Sequence, residues 1–167
     1  FSEAFGPWPF PQSKVALVQT PFWGMEHSTA VAYGSSFPAW IAQHGGEDPY
    51  AARNRWFDFI LVHETAHEWW GNAVSAADWG DFWLHEGFAT YYAYQAESSL
   101  LGPDQMYWKL YDTARALERM DAEGRGESLL DPEASSLTFY EKGAWALYLL
   151  REEVGERAFR QGVKDFL

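Results

Sequence analysis

His63 and His67 stand four residues apart, with Glu64 beside the first, in the run His63-Glu64-Thr65-Ala66-His67. On a helix, residues four apart lie one turn above each other on the same face. Two imidazoles so placed suit one metal ion, with zinc–nitrogen bonds of about 2.0–2.1 Å. Glu64 is turned off that row, so its carboxylate points at a water activated by the ion rather than at the ion, the position of a general base. Zinc lowers the pKa of a bound water to about 7 and polarises a carbonyl. The chemistry these residues suit is metal-assisted hydrolysis. An oxyanion forms in such a reaction and needs a second electrophile, which a Tyr hydroxyl or a His could supply.

Catalytic zinc takes three protein ligands and keeps one open position. Glu86 follows His67 after 18 intervening residues, in the run Trp83-Leu84-His85-Glu86-Gly87-Phe88-Ala89. A helix carrying the histidines, a break at Gly71-Asn72 and an antiparallel return would bring Glu86 beside them. His85 is the alternative third ligand, because imidazole also suits zinc. Glu68 is too close in sequence and faces away, which makes it an outer carboxylate. His27 and His44 read as ordinary polar residues. Two imidazole ligands disfavour magnesium, so the expectation is one Zn2+ per chain.

The elements that must hold these groups can be read from apolar periodicity and breakers. Residues 1–13 are rich in Pro and aromatics and read as an extended lead-in. Lys14–Thr20 and Met25–Tyr33 read as two strands, and residues 34–49 as loop. Helices are expected over Arg53–Trp70, stopping at Gly71-Asn72, and over Leu84–Leu101, stopping at Gly102-Pro103. A third starts near Asp104, an N-cap type of residue, and fades at Gly124 and Gly126. A polar loop over 124–134 precedes a fourth helix over Leu137–Val154, and another begins after Gly155. The expected fold is α+β and mostly α-helical, a small N-terminal β-sheet followed by a helical bundle, with 1–167 as one domain.

Composition narrows the partners. With 12 basic and 24 acidic residues the net charge is −12, which argues against nucleic acid and fits poorly with an anionic membrane. There is no Cys, hence no disulfide and no thiolate metal site. No apolar run approaches the roughly 20 residues of a membrane span, and no targeting signal is visible, so a soluble domain is expected and the compartment is left open. Ten Trp, nine Tyr and twelve Phe point to a thick core, a substrate cleft or a face covered by another domain.

Four segments resemble the zinc aminopeptidases related to aminopeptidase N and leukotriene-A hydrolase, a gluzincin family. His63–Asn72, HETAHEWWGN, is similar to its His-Glu-x-x-His-x-Trp-x-Gly-Asn segment, and Trp83–Tyr91, WLHEGFATY, to its Trp-Leu-Asn-Glu-Gly segment at the same spacing. Tyr140–Gly143, YEKG, resembles the segment with its catalytic tyrosine, and Phe22–His27, FWGMEH, its Gly-x-Met-Glu-Asn exopeptidase motif. The resemblance implies a thermolysin-like zincin catalytic domain with His63, His67 and Glu86 as metal ligands and Glu64 as base. It implies that the Tyr140 hydroxyl stabilises the tetrahedral intermediate and that Glu26 binds the free α-amine of a peptide substrate. A fixed carboxylate pairing with an ammonium lets only the first peptide bond reach the metal.

Some positions depart from the family pattern. Trp23 replaces a small residue, His27 an Asn, and His85 stands where Asn is common. Ala93 occupies a position where many relatives carry an acidic support for a ligand histidine; Glu97, Asp78 or Asp81 are candidates to compensate. The family also has a large N-terminal β domain and usually a C-terminal helical domain, so the chain, which starts at Phe1, reads as a fragment whose flanking domains are missing partners. The competing expectations are a thermolysin-like endopeptidase and a zinc-stabilised module without catalysis.

Overall fold

The structure, a computed structural model, describes residues 1–34 and 57–167. His44, the expected loop beyond Gly34 and the expected helix start at Arg53 lie outside the described residues. The architecture is a three-stranded sheet followed by packed helices, as expected for the class. The strands are β1 (Ala16–Gln19), β2 (Gly24–Met25) and β3 (Ala30–Tyr33). β3 is the central strand, parallel to β1 from Ala16↔Ala30 to Gln19↔Tyr33 and antiparallel to β2 through Gly24↔Tyr33 and Met25↔Ala32. Its Val31, Ala32 and Tyr33 are buried.

The single strand expected over Met25–Tyr33 is therefore two short strands joined by a turn. Thr29 sits at the turn with φ 64, where a β-branched residue is strained, and its N–H is held by Glu68 Oε1 at 2.8 Å. A carboxylate from another element overrides the strand propensity of the run. Glu68 is fully buried, and burial ahead of that hydrogen bond raises its pKa.

Besides the short α1 (Ser2–Phe5), the α-helices among the described residues are α2 (Phe59–Ala66), α3 (Trp83–Leu101), α4 (Asp104–Ala122), α5 (Gly143–Val154) and α6 (Glu156–Phe166). α2 starts behind Asp58, whose side chain accepts the Leu61 N–H at 3.0 Å, and is shorter than the expected Arg53–Trp70 at both described ends. After Ala66 the winding loosens: the N–H groups of Asn72, Ala73 and Val74 reach back five residues to His67, Glu68 and Trp69. In α4 the cap position falls on Pro103, and Asp104 lies in the first turn instead. The expected helix over Leu137–Val154 is divided: Leu137–Lys142 is wound as a π-helix and only Gly143 onward is α.

The hydrophobic core gathers around α3, which packs on α2, α4, α5 and the π-wound turn. Trp70 and Phe88 stack at 3.7 Å between centroids, and Phe5 meets Tyr92 edge-on at 4.3 Å. The aromatic excess thus splits. Part builds this core, and part, Tyr107, Trp108 and Tyr111 on α4, stays exposed. No helix among the described residues is long and apolar enough to cross a membrane.

Candidate metal centre and active site

His63 lies in the last turn of α2 and His67 is its C-capping residue, so the two imidazoles come off one face. Glu86 lies in the first turn of α3 and faces them. His63 Nε2 is 3.1 Å from Glu86 Oε2, His67 Nε2 is 3.3 Å from the same oxygen, and the two Nε2 atoms are 3.1 Å apart. All three residues are buried.

The outward-facing ring atoms explain the convergence. His67 Nδ1 lies 2.8 Å from the Trp70 carbonyl, which only accepts, so Nδ1 carries the proton and Nε2 presents a lone pair. His63 Nδ1 has the Thr90 hydroxyl at 3.4 Å. Two imidazole lone pairs and a carboxylate oxygen then meet at one buried point, which calls for a cation. Donors held about 2.0–2.1 Å from a tetrahedral ion stand roughly 3.4 Å apart, so the observed separations fit zinc. Without an ion, protons on the imidazoles hold the same cluster together. Burial works to raise the Glu86 carboxyl, but hydrogen bonds from His63 and His67 hold it well below the usual carboxylate range. Burial works to lower His67, but Glu86's hydrogen bond and charge push it up to about 9. Burial also lowers His63, despite Glu86.

Glu64 is buried beside the row, and its Oε2 has no hydrogen-bond partner among the described residues. Burial, with Glu26 and Glu86 adding to it and His67 opposing, raises its pKa to about 8. Its room depends on Gly24 of β2, where a Cβ would fall 2.2 Å from Glu64 Oε1. Glu26, one residue past β2, brings its carboxylate within 4.8 Å of donors on Glu64 and His67. Tyr140, in the π-wound turn, lies face-on to the His63 ring with centroids 5.7 Å apart and planes at 19°. Its pKa is raised by burial first and by the Glu86 charge next, so the hydroxyl keeps its proton. Glu26, His63, Glu64, His67, Glu86 and Tyr140 all line one cavity of about 370 Å³, a size that suits a small ligand.

His85 is not brought into this group. Its Nε2 accepts the Ala76 N–H at 2.7 Å, whereas Glu86 faces the two histidines. His27 lies in the exposed turn after β2. The support sought from Glu97, Asp78 or Asp81 is placed elsewhere. Asp78 caps a 3₁₀ turn through the Gly80 N–H, and Glu97 pairs with Lys109 at 3.1 Å. The Trp70 carbonyl and Thr90 stand behind the histidines instead.

Three glycines within the motif segments have a role in packing that local sequence does not show. Besides Gly24, they are Gly87 and Gly143, where α3 and α5 touch backbone to backbone: a Cβ on Gly87 would lie 2.9 Å from Gly143 Cα, and one on Gly143 2.8 Å from Gly87 Cα. That contact sets Tyr140 beside Glu86. Both glycines follow a proposed site residue closely, which was the available signal.

Comparison with known proteins agrees with this geometry. The chain is 34% identical over 119 residues to a leucyl aminopeptidase of Saccharolobus solfataricus, an alignment covering 65% of this chain and 15% of that protein. It is 28% identical to the tricorn protease-interacting factor F2 of Thermoplasma volcanium, over 100% of this chain and 22% of the relative. The chain thus spans about a fifth of the length of such relatives. Among solved structures, an M1 zinc metallopeptidase from Deinococcus radiodurans superposes with a TM-score of 0.71 at 26% identity, covering 99% of this chain and 33% of that one. A variant of that enzyme bound to a Tyr-Ser-Ala substrate superposes with a TM-score of 0.66 at 26% identity, over 99% of this chain and 34% of that one. The family model described as the peptidase family M1 domain matches residues 2–167, and the chain belongs to that family.

Proposed function

We propose that residues 1–167 are the catalytic domain of a larger zinc-dependent aminopeptidase that removes the first residue from peptides with a free amino terminus. The observation that carries this reading is the convergence of three lone-pair donors at 3.1–3.3 Å in a cavity that also holds Glu26, Glu64 and Tyr140. His63, His67 and Glu86 would hold one Zn2+, which when bound supplies a Lewis acid and an activated water.

The chain's own residues divide the remaining work. Glu26 pairs with the substrate ammonium and sets the first peptide bond over the histidine row. Glu64 takes the proton of the attacking water and returns it to the leaving amine. Burial raises the Glu64 carboxyl in metal-free protein, and the charge of a bound metal would draw it toward its ionised form before attack. Tyr140, protonated, donates a hydrogen bond to the developing oxyanion. Thr90 and the Trp70 carbonyl keep the imidazoles oriented.

The test is Glu64→Gln in the full-length enzyme. Zinc content by elemental analysis is expected to stay at one per chain while kcat falls about 10²–10⁴-fold, the usual worth of a general base. Undiminished turnover refutes the base assignment. Glu26→Ala is expected to cost free-amine peptides far more than amino-blocked ones; equal losses remove the exopeptidase reading and favour an endopeptidase.

A further inference from the structure

Tyr140 sits on an unusual piece of backbone that is held from both sides. The π-wound turn Leu137–Lys142 lacks the regular α ladder that would otherwise set the direction of Tyr140. On its downstream side it is pinned by the Gly87–Gly143 contact. On its upstream side it hangs from a loop, and there one carboxylate oxygen gathers three donors. Glu127 Oε2 accepts the Ser135 N–H at 2.8 Å, the Ser135 hydroxyl at 2.6 Å and the Thr138 hydroxyl at 2.5 Å. Lys142 Nζ in turn donates to the Glu127 carbonyl. The Ser135 carbonyl then accepts the N–H groups of Thr138 and Phe139, which begin the turn.

From this geometry we infer that Glu127 is a positioning residue for the Tyr140 hydroxyl. It rests on the reading of Tyr140 as the oxyanion donor and adds the device that aims it. Thr138, fully buried, lies two residues before Tyr140 and Lys142 two residues after it, so Glu127 grips the turn on both sides of the tyrosine. A carboxylate accepting several hydrogen bonds is a strong clamp, because each bond is charge-assisted. Glu127 itself follows the loop that closes α4, where a Cβ on Gly126 would lie 2.5 Å from Asp121 Oδ1. The direction of Tyr140 is thereby referred to α4 as well as to α3. Glu127 never meets substrate. It acts only through the turn, and an oxyanion donor displaced by about 1 Å loses much of its transition-state preference.

The experiment is a double-mutant cycle in the full-length, zinc-loaded enzyme. Tyr140→Phe alone is expected to lower kcat about 10²–10³-fold, the usual worth of one oxyanion donor. Glu127→Ala alone is expected to lower kcat about tenfold, with KM within about twofold and zinc content unchanged, because positioning acts in the transition state. In the Tyr140→Phe background, Glu127→Ala is expected to cost less than about twofold, since the group it aims is gone. Thr138→Val, which deletes one donor to the clamp, should show the same kcat-only pattern at smaller size and serves should Glu127→Ala fold poorly. A full tenfold loss in the Tyr140→Phe background, or a loss confined to KM, overturns the inference. If Tyr140→Phe itself leaves kcat intact, the oxyanion role of Tyr140 falls, which is a separate outcome.

Discussion

Helix α3 carries two buried carboxylates on one face, and they meet opposite fates. Glu86 and Glu97 are separated by about three turns, so both point into the packed interior, with 3% and 2% of their surface exposed. Glu97 finds a cation inside the chain: Lys109 of α4 stands 3.1 Å away, with its ammonium over the rings of Phe59 and Tyr94 at 5.1 Å each. Glu86 finds two imidazoles whose Nε2 atoms crowd it at 3.1 and 3.3 Å, and whose outward nitrogens face other partners. A buried carboxylate is costly without a compensating charge. At Glu97 the sequence supplies the charge, and the result is structural. At Glu86 it supplies two imidazoles, and the compensating charge is a proton on His67 in metal-free protein, which a bound cation can replace.

The largest expected effect separates the two on metal binding. Glu86→Gln should weaken zinc binding on the order of 10²–10³-fold, about one ligand's share of a typical zinc-site free energy. Glu97→Gln should leave zinc stoichiometry unchanged. Competition with a chromophoric chelator reads both, and a loss of zinc from Glu97→Gln would break the distinction.

On stability the ranking reverses. Glu97→Gln strands the Lys109 ammonium, of which 15% of the side chain is exposed, and should cost on the order of 2–4 kcal/mol in chemical denaturation. Replacing both partners, Glu97→Gln with Lys109→Met, should recover most of that loss, because an apolar side chain fills the stem's place without a charge. If the double variant is no better than the single one, the pair's role is not charge compensation.

The pH response sharpens the contrast at the metal side. In zinc-free protein the Glu64 carboxyl is raised from 4.5 to about 8, chiefly by burial. Folding then favours its protonated form, so this stabilisation is complete below about pH 4.5 and is lost as the pH rises through 8. Glu64→Gln is neutral at every pH. Its melting temperature relative to the unsubstituted protein should therefore climb between pH 4.5 and 9, by the equivalent of at most a few kcal/mol. A flat difference would mean that Glu64 does not titrate in that window.

The smallest effect concerns the support behind the site. Thr90→Val removes the hydroxyl 3.4 Å from His63 Nδ1 and should lower zinc affinity about tenfold, the low end for an outer partner because the contact is long. An unchanged affinity would leave His63 oriented by packing alone, against Phe59 and Tyr140.

Much of the candidate site was legible before the fold because its signals are local. The His63–His67 spacing needs only one helical turn to face both rings one way, and that turn exists even though α2 is shorter than expected and His67 is its cap. The long helices α3 and α4 lay close to their expected limits, since Gly and Pro interrupt the chain between them. The strand after Gly24 was misread because its turn is held by Glu68, 39 residues away from Thr29. The helix over 137–154 was misread because a π-wound turn has the apolar pattern of an α-helix and differs only in backbone spacing.

The sequence by itself determined which side chains can share a helical face, because 3.6 residues per turn follow from backbone hydrogen bonding alone. It also placed a carboxylate, Glu64, beside the first histidine. Spacing alone left Glu86 and His85 open, and only the tertiary structure shows which of these adjacent side chains, a rotation apart about the α3 axis, faces the histidines. It turned Glu86 to the histidines and His85 to the Ala76 N–H. Likewise only packing joined Gly87 to Gly143 and Gly24 to Glu64, where the missing Cβ atoms let backbone and side chain approach. Such choices rest on contacts between distant segments, and no local periodicity encodes them.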